Sequence, residues 1–151
     1  MNEKPQVMNE STNLLKEVLT TQYFAVLSTL DGKVPYLNLV SFTMVDDMKT
    51  LIFVTNRNTR KYHNILRNNA ISLLVDNRTN QPSDISNAVA ITLLGTANVD
   101  PDNSSGFKDF FLSRHPHLKQ FVEDKEIALV LVTISEYIIA GFNNTQRLVI
   151  S

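Results

Sequence analysis

The residues most able to do chemistry sit where a strand gives way to a short basic helix. Leu51-Ile-Phe-Val54 is an apolar, β-rich run that stops at the polar cluster Thr55-Asn56-Arg57-Asn58. Asn58 or Thr59 can cap a helix there. Within it Tyr62, Ile65 and Leu66 fall at i, i+3 and i+4, predicting one apolar face. Arg60 and Lys61 occupy its first turn, where the helix dipole disfavours a cation by about 0.3–1 kcal/mol at an exposed site. Two adjacent cations break that rule. With the hydroxyls of Thr55 and Thr59 and the amide of Asn56 beside them, they form a site suited to a phosphate. In the competing reading both basic side chains point into water. The setting between two strands favours the anion site, because local rules fail most often where function needs them to.

Other chemistries find little support. The three histidines, His63, His115 and His117, lack companion ligands at metal spacing, so no metal site is expected, and all three read as exposed helix and cap residues. Asp46-Asp47 and Glu123-Asp124 lie in turn or helix-end contexts and read as solvated. Ser28, Ser41 and Ser72 fall on predicted strands without a glycine-flanked elbow, which argues against a serine hydrolase. Four glycines supply neither a dinucleotide fingerprint nor a P-loop. Phe107, Phe110 and Phe111 are spaced as a helix core face. Tyr36 and Phe142 could stack on a ligand, although barrel packing explains each more simply.

The elements that must position these residues follow from the pattern. Residues 1–8 read as a flexible tail and 9–151 as one domain. Asn9 or Ser11 can cap a helix whose Leu14, Leu15, Val18 and Leu19 share a face, ending near Thr21. Strands are predicted at Tyr23–Leu30 and Pro35–Val45, joined at Asp31-Gly32, then at the run ending in Val54 and at Ala70–Val75. On the second, Leu37, Leu39 and Ser41 share one face and Asn38, Val40 and Phe42 the other. Residues 77–87 form a polar loop long enough to suspect of a role of its own. A strand over 88–99 carries a bulge signal at Gly95. Two helical pieces are separated by Pro116, with Leu118, Phe121 and Val122 on one face. Ile127 to Phe142 is a long β-branched strand, and Arg147–Ile150 a short last one. The whole reads as an α+β fold, an antiparallel six-stranded barrel with short flanking helices. The apolar outer surface of the long strand predicts a homodimer.

Composition narrows the class. Hydrophobic residues make up 43% of the 151 and charged residues 19%, with a formal net charge of −1, so no global field draws the chain to nucleic acid or anionic membrane. Cysteine is absent, which fits a cytoplasmic setting. No apolar run reaches the roughly 18 residues of a membrane span, and the N-terminus has no signal-peptide pattern. The strands carry few Lys or Arg, against a nucleic-acid-binding barrel.

The segment Phe53-Val-Thr-Asn-Arg-Asn-Thr-Arg-Lys-Tyr-His-Asn-Ile-Leu-Arg-Asn-Asn-Ala-Ile-Ser-Leu-Leu-Val75 resembles the phosphate-binding segment of the pyridoxamine 5′-phosphate oxidase-like split-barrel flavoproteins. Thr55, Asn56, Thr59, Arg60, Lys61, Ile65 and Ser72-Leu73-Leu74 fall on that pattern. Leu27-Ser-Thr-Leu-Asp-Gly-Lys-Val-Pro-Tyr-Leu-Asn-Leu-Val-Ser-Phe42 resembles the opening hairpin of the same family, with Pro35, Tyr36, Asn38, Leu39, Val40 and Ser41 in register, and Ile91–Ala97 its G-x-A strand. The resemblance implies a split barrel that binds FMN, with the flavin in the groove of a homodimer. Arg60 and Lys61 would hold the phosphate, helped by Val54, Thr55, Asn56 and Thr59 at the strand end. The main chain of Asn38 to Ser41, with Tyr36 nearby, would line the isoalloxazine. Phe142 or Asn143 would arrive from the second subunit. The implied activity is flavin-mediated electron or hydride transfer to a small molecule; the alternative is a non-catalytic flavin carrier or stress-response protein. The C-terminus, Phe142-Asn-Asn-Thr-Gln-Arg-Leu-Val-Ile-Ser151, lacks the basic motif that grips pyridoxamine phosphate and the histidine of haem-degrading relatives, and no basic groove suits a deazaflavin tail.

Overall fold

The computed structural model describes residues 5–100, 103 and 106–150. Among the described residues there are seven strands: β1 Phe24–Asp31, β2 Val34–Met44, β3 Thr50–Asn56, β4 Ala70–Asp76, β5 Ala90–Val99, β6 Ile127–Ala140 and β7 Thr145–Val149. The helices are α1 Pro5–Thr21, α2 Arg60–Arg67, α3 Asp84–Asn87, α4 Phe107–Arg114 and α5 Lys119–Glu123, with a 3₁₀ turn at Pro116–Leu118. The sheet runs β3-β2-β1-β4-β5-β6-β7, and β3 also pairs with β6. Six antiparallel strands therefore close a barrel, and β7 is an addition beside β6. The predicted α+β split barrel is the architecture found.

One residue type makes the closure possible. β6 pairs with β5 from Val130 to Ala140 and with β3 from Ile127 to Thr133, so it must bend between two partners. The bend is a bulge: Leu94 faces Glu136, but Gly95 faces Ile134, leaving Ser135 without an opposite residue. At Gly95 the backbones come so close that a Cβ would lie 2.4 Å from the Thr133 carbonyl oxygen. The predicted bulge glycine is thus a contact requirement.

Two apolar cores result. Inside the barrel Leu27, Phe42, Phe53, Leu73, Leu93 and Tyr137 are fully buried or nearly so, and α1 adds Leu15, Val18 and Leu19. Outside it, α4 and α5 cover one wall, packing Phe111 and Val122 on Ile52, Val54, Ile127 and Leu129. Of the aromatic triplet of α4, Phe111 is core, and Phe107 and Phe110, half-buried, pack against the same cluster.

Several expectations are corrected. α1 begins at Pro5, ahead of the expected cap, because proline suits the first helical turn; residues 1–4 of the expected tail lie outside the described residues. Ser11 is not a cap: it lies inside α1, and its hydroxyl donates to Gln146 on β7. On α2, Leu66 is 59% exposed and Asn64 is buried in its place. Asn64 can be buried because its amide donates to Thr29 Oγ1 at 3.0 Å and its carbonyl accepts from Arg67 at 2.8 Å. The carboxylates of Asp47 and Asp124 are not merely solvated. Each accepts main-chain N–H groups and closes a turn. The outer face of β6 is not a bare apolar surface either, because α4 and α5 cover its first half.

His115 is the largest departure. It is 1% exposed, stacked on Phe111 at 4.7 Å, and its Nε2 bonds to the Phe42 carbonyl at 2.7 Å. Its neighbour Arg114 donates to the carbonyls of Thr20 and Gln22, tying the end of α1 to α4. Burial lowers the His115 pKa, against the Phe42 bond, and nearby Arg114 and His117 lower it further. The folded chain therefore resists a proton that the unfolded chain accepts. The stabilisation is full above the unfolded value of about 6.5 and is lost as pH falls through the folded pKa. A melting series from pH 7.5 downward should show the wild type losing stability below pH 6.5 more steeply than His115→Phe, which keeps the stack but cannot titrate. Equal slopes would exclude His115 as the origin.

Candidate functional site

The barrel opens along one seam. β2 pairs with β1 over residues 34–41, but it pairs with β3 only at Phe42, Thr43 and Met44. Beyond Phe42 and Phe53 the two strands part. Along Val34–Ser41 β2 therefore has a sheet edge with no strand against it among the described residues, and buried or half-buried edge N–H and C=O groups require partners.

A cleft of about 230 Å³ lies at this opening, lined by Leu39, Val40, Ser41, Val54, Thr55, Asn56, Thr59, Lys61, Leu118 and Phe121. Eight of these ten are residues singled out in the sequence, so two segments some fifteen positions apart meet as expected. Leu118 and Phe121 were missed as site residues. Their helical spacing marked them as core, but only Val122 of that face is buried, and Phe121 is 44% exposed.

The turn into α2 is built by its own polar side chains. Asn56 Oδ1 accepts the Asn58 N–H at 2.8 Å, and Thr59 is the N-cap, accepting from Tyr62 N–H at 3.4 Å while donating to the Asn56 carbonyl at 2.7 Å. Thr55 is buried, and its hydroxyl lies 3.0 Å from that of Thr59. The cap leaves the first N–H groups of α2 free of helical bonds.

The two cations of the first turn separate. Arg60 turns to the hairpin tip, where its Nε and Nη2 both lie 2.5 Å from Asp31 Oδ2, and its guanidinium stacks 4.5 Å above the Tyr36 ring. Asp31 can serve because the β1–β2 turn is Gly32-Lys33, one residue later than expected, with Gly32 at φ +62°. Arg67 lies 3.4 Å from the same carboxylate. Lys61 instead lines the cleft, and no carboxylate among the described residues pairs with it. Burial lowers its pKa, opposed by the Tyr36 phenol. The ammonium of Lys61 is thus partly desolvated and lines the same cleft as the hydroxyl-bearing Thr55 and Thr59.

The remaining expected residues are outside the cleft lining. Tyr36 lies under Arg60. Asn38 shares a strand face with Val40, and its Oδ1 is buried with no hydrogen-bond partner among the described residues. Phe142 and Asn143 follow the far end of β6, whose first residue, Ile127, is the one beside Asn56. Phe142 is 59% exposed, which corrects the barrel-packing reading. Within one chain these two residues do not meet Lys61.

Next to the cleft lies an apolar surface that the strand alternation places outside the barrel. Phe24, Leu37 and Leu39 are 57%, 63% and 67% exposed. The register sets Val26 opposite Leu39 and Ser28 opposite Leu37, so they form one continuous face.

No helix among the described residues is long and apolar enough to cross a membrane. The family model of pyridoxamine 5′-phosphate oxidase matches residues 11–138. A pyridoxamine 5′-phosphate oxidase homolog of Schizosaccharomyces pombe is 26% identical over 183 residues, covering 97% of this chain and 95% of its own. Among solved structures, a haem-binding protein from Mycobacterium smegmatis superposes with TM-score 0.77 at 11% identity, over 87% of this chain and 55% of the other. A Clostridium acetobutylicum protein related to general stress protein 26 gives 0.70 at 16%, over 98% and 97%. By the extent of the family match, this chain belongs to the pyridoxamine 5′-phosphate oxidase family.

Proposed function

We propose that the protein binds FMN at the barrel seam and acts as a homodimeric oxidoreductase on a small molecule. The observation that carries the reading is Lys61: an uncompensated, partly buried ammonium beside Thr55, Thr59 and the start of α2. That donor set suits a phosphate dianion. The unpaired edge of β2 beside it suits the polar rim of a flat ring, since main-chain N–H and C=O groups can bond its nitrogens and oxygens. About 230 Å³ accommodates the phosphate end and part of one ring face. The rest of such a cofactor needs a second wall, because whole-ligand pockets run to about 300–1,000 Å³. A second copy seated on Phe24, Leu37 and Leu39 would supply it and would bring the Phe142–Asn143 turn toward the cleft.

When bound, FMN supplies the redox chemistry; the chain supplies position and electrostatics. Lys61 neutralises the phosphate, Thr55 and Thr59 fix its orientation, and Leu118 and Phe121 exclude water from one side. Purified protein should be yellow or take up FMN stoichiometrically, with the flavin identified by mass spectrometry and the bands bleached by a nicotinamide donor. Colourless protein that fails to take up added FMN would end the reading.

The second reading is a flavin carrier without turnover. One observation favours it: among the described residues, the cleft lining offers no ionisable side chain other than Lys61. Bleaching by dithionite but by no nicotinamide would select it.

A further inference from the structure

A second cleft, of about 240 Å³, lies at the end of β3 away from the barrel seam, where α1, the β2–β3 turn and β7 meet. Its floor is apolar. Leu15 and Tyr137 are buried there, and Met48, Leu148 and Ile150 pack half-buried against the barrel core. Its mouth is charged. Lys16 comes from α1, and Asp46, Asp47 and Lys49 come from the turn, all four exposed. No ion pair joins any of the four to another charged group among the described residues.

The walls are already pinned. The Ser11 hydroxyl donates to Gln146 and ties α1 to β7. The register sets Leu148 opposite Tyr137, and the Ile150 N–H donates to the Ser135 carbonyl at 2.9 Å. On the turn, Asp47 Oδ1 accepts the Lys49 and Thr50 N–H groups at 2.8 and 3.1 Å, and the Lys49 carbonyl accepts from Ile134 at 2.8 Å. Met48 is left-handed, φ +57°, a conformation that persists in a residue with a side chain only where its surroundings hold it. The buried Tyr137 hydroxyl does so, donating to the Met48 carbonyl at 2.7 Å. Burial pushes the pKa of that phenol up and the Asp47 carboxylate pushes it further, so the hydroxyl keeps its proton and its bond.

We propose that this cleft binds a free aliphatic amino acid, its side chain on the apolar floor, its ammonium on Asp46 and Asp47 and its carboxylate on Lys16 and Lys49. Size points to a small ligand. The 240 Å³ fall below the about 300–1,000 Å³ of sites for drug-sized molecules. At about 30 Å³ per water they hold about eight waters, close to the about nine heavy atoms of leucine. Charge points to a zwitterion. Two ammonium groups and two carboxylates share one mouth, so a plain acid or a plain amine would meet one pair and set its own charge against the other. The floor rewards an aliphatic body in proportion to the apolar area covered. This cleft shares no lining residue with the Lys61 cleft, and the proposal does not depend on the FMN reading.

The test is a titration of ¹⁵N-labelled protein by NMR with L-leucine, with isocaproate and isoamylamine, which lack its ammonium and its carboxylate in turn, and with glycine, which lacks its side chain. Leucine should give saturable shifts at the amides of Leu15, Lys49, Leu148 and Ile150. It should bind at least threefold tighter than isocaproate or isoamylamine and at least tenfold tighter than glycine. Lys16→Gln combined with Lys49→Gln should remove the preference over isoamylamine, and Asp46→Asn should narrow the preference over isocaproate. These side chains are exposed, so the variants should fold; Asp47 is left in place because it closes the turn. Tighter binding of isocaproate would mean an acid site, and tighter binding of isoamylamine an amine site. Either result would overturn the proposal, as would unchanged leucine affinity in the double variant, shifts centred on Val54–Lys61, or no saturable shifts at all. Every arm is run without flavin, so failure leaves the FMN reading where it stood.

Discussion

Lys61→Ala should weaken FMN binding about 10- to 100-fold, the range expected when one charge-assisted hydrogen bond of about 1.5–3 kcal/mol is lost. Arg60→Ala should change it by no more than about threefold. The two residues are adjacent and equally charged, so the difference rests on geometry alone. Lys61 lines the cleft without a counter-ion, while Arg60 is already satisfied by Asp31 and the Tyr36 ring. Its exposed ion pair is of a kind worth under about 1 kcal/mol. Lys61→Arg should recover part of the affinity, and added salt should narrow the gap between wild type and Lys61→Ala. Fluorescence quenching of free FMN gives all four constants. Equal losses at the two positions would mean that Arg60 leaves Asp31 for the ligand, and the assignment of Lys61 as the principal anion group would fall.

Gly95→Ala should be among the most damaging small substitutions in the chain. The added Cβ would stand 2.4 Å from a backbone oxygen of β6 and 3.1 Å from a Val132 methyl. A side chain can move aside, but the Thr133 carbonyl is held between β5 and β3. Overpacking of this sort costs about 1–3 kcal/mol, and each kcal/mol is about 2–4 °C of melting temperature at this size. Gly141→Ala is the control, since a Cβ there meets nothing nearer than 4.0 Å. A thermal melt in which the two variants behave alike would show that the bulge relaxes freely.

Local pattern made most of the barrel legible. Alternation, turn residues and β-branched runs act over a few positions, so β1 to β6 and both helical pieces around Pro116 could be placed. The grouping of Thr55, Thr59 and Lys61 at one cleft was legible for the same reason, because they lie within seven residues. What failed depends on distance along the chain. Asp31 meets Arg60 across 29 positions, and nothing near Arg60 marks it as already neutralised. His115 bonds to a carbonyl 73 positions away, so a residue that looked like a cap is core. Asn64, not Leu66, is buried on α2, and the partners that make this possible, Thr29 and Arg67, include one 35 positions away that no local pattern reveals. Leu118 and Phe121 line the cleft only because α5 returns over β3.

The bare flank of β2 has a bearing on how such a protein can change over time. Hydrogen bonds offered by the peptide backbone are the same whatever side chain is attached, so Leu39, Val40 and Ser41 could be exchanged for other residues of similar bulk without altering what that strand presents. Proline is the exception, since it deletes a donor outright. An edge of this type leaves little trace in residue identity, and two chains could drift far apart along this strand while still presenting the same row of donors and acceptors.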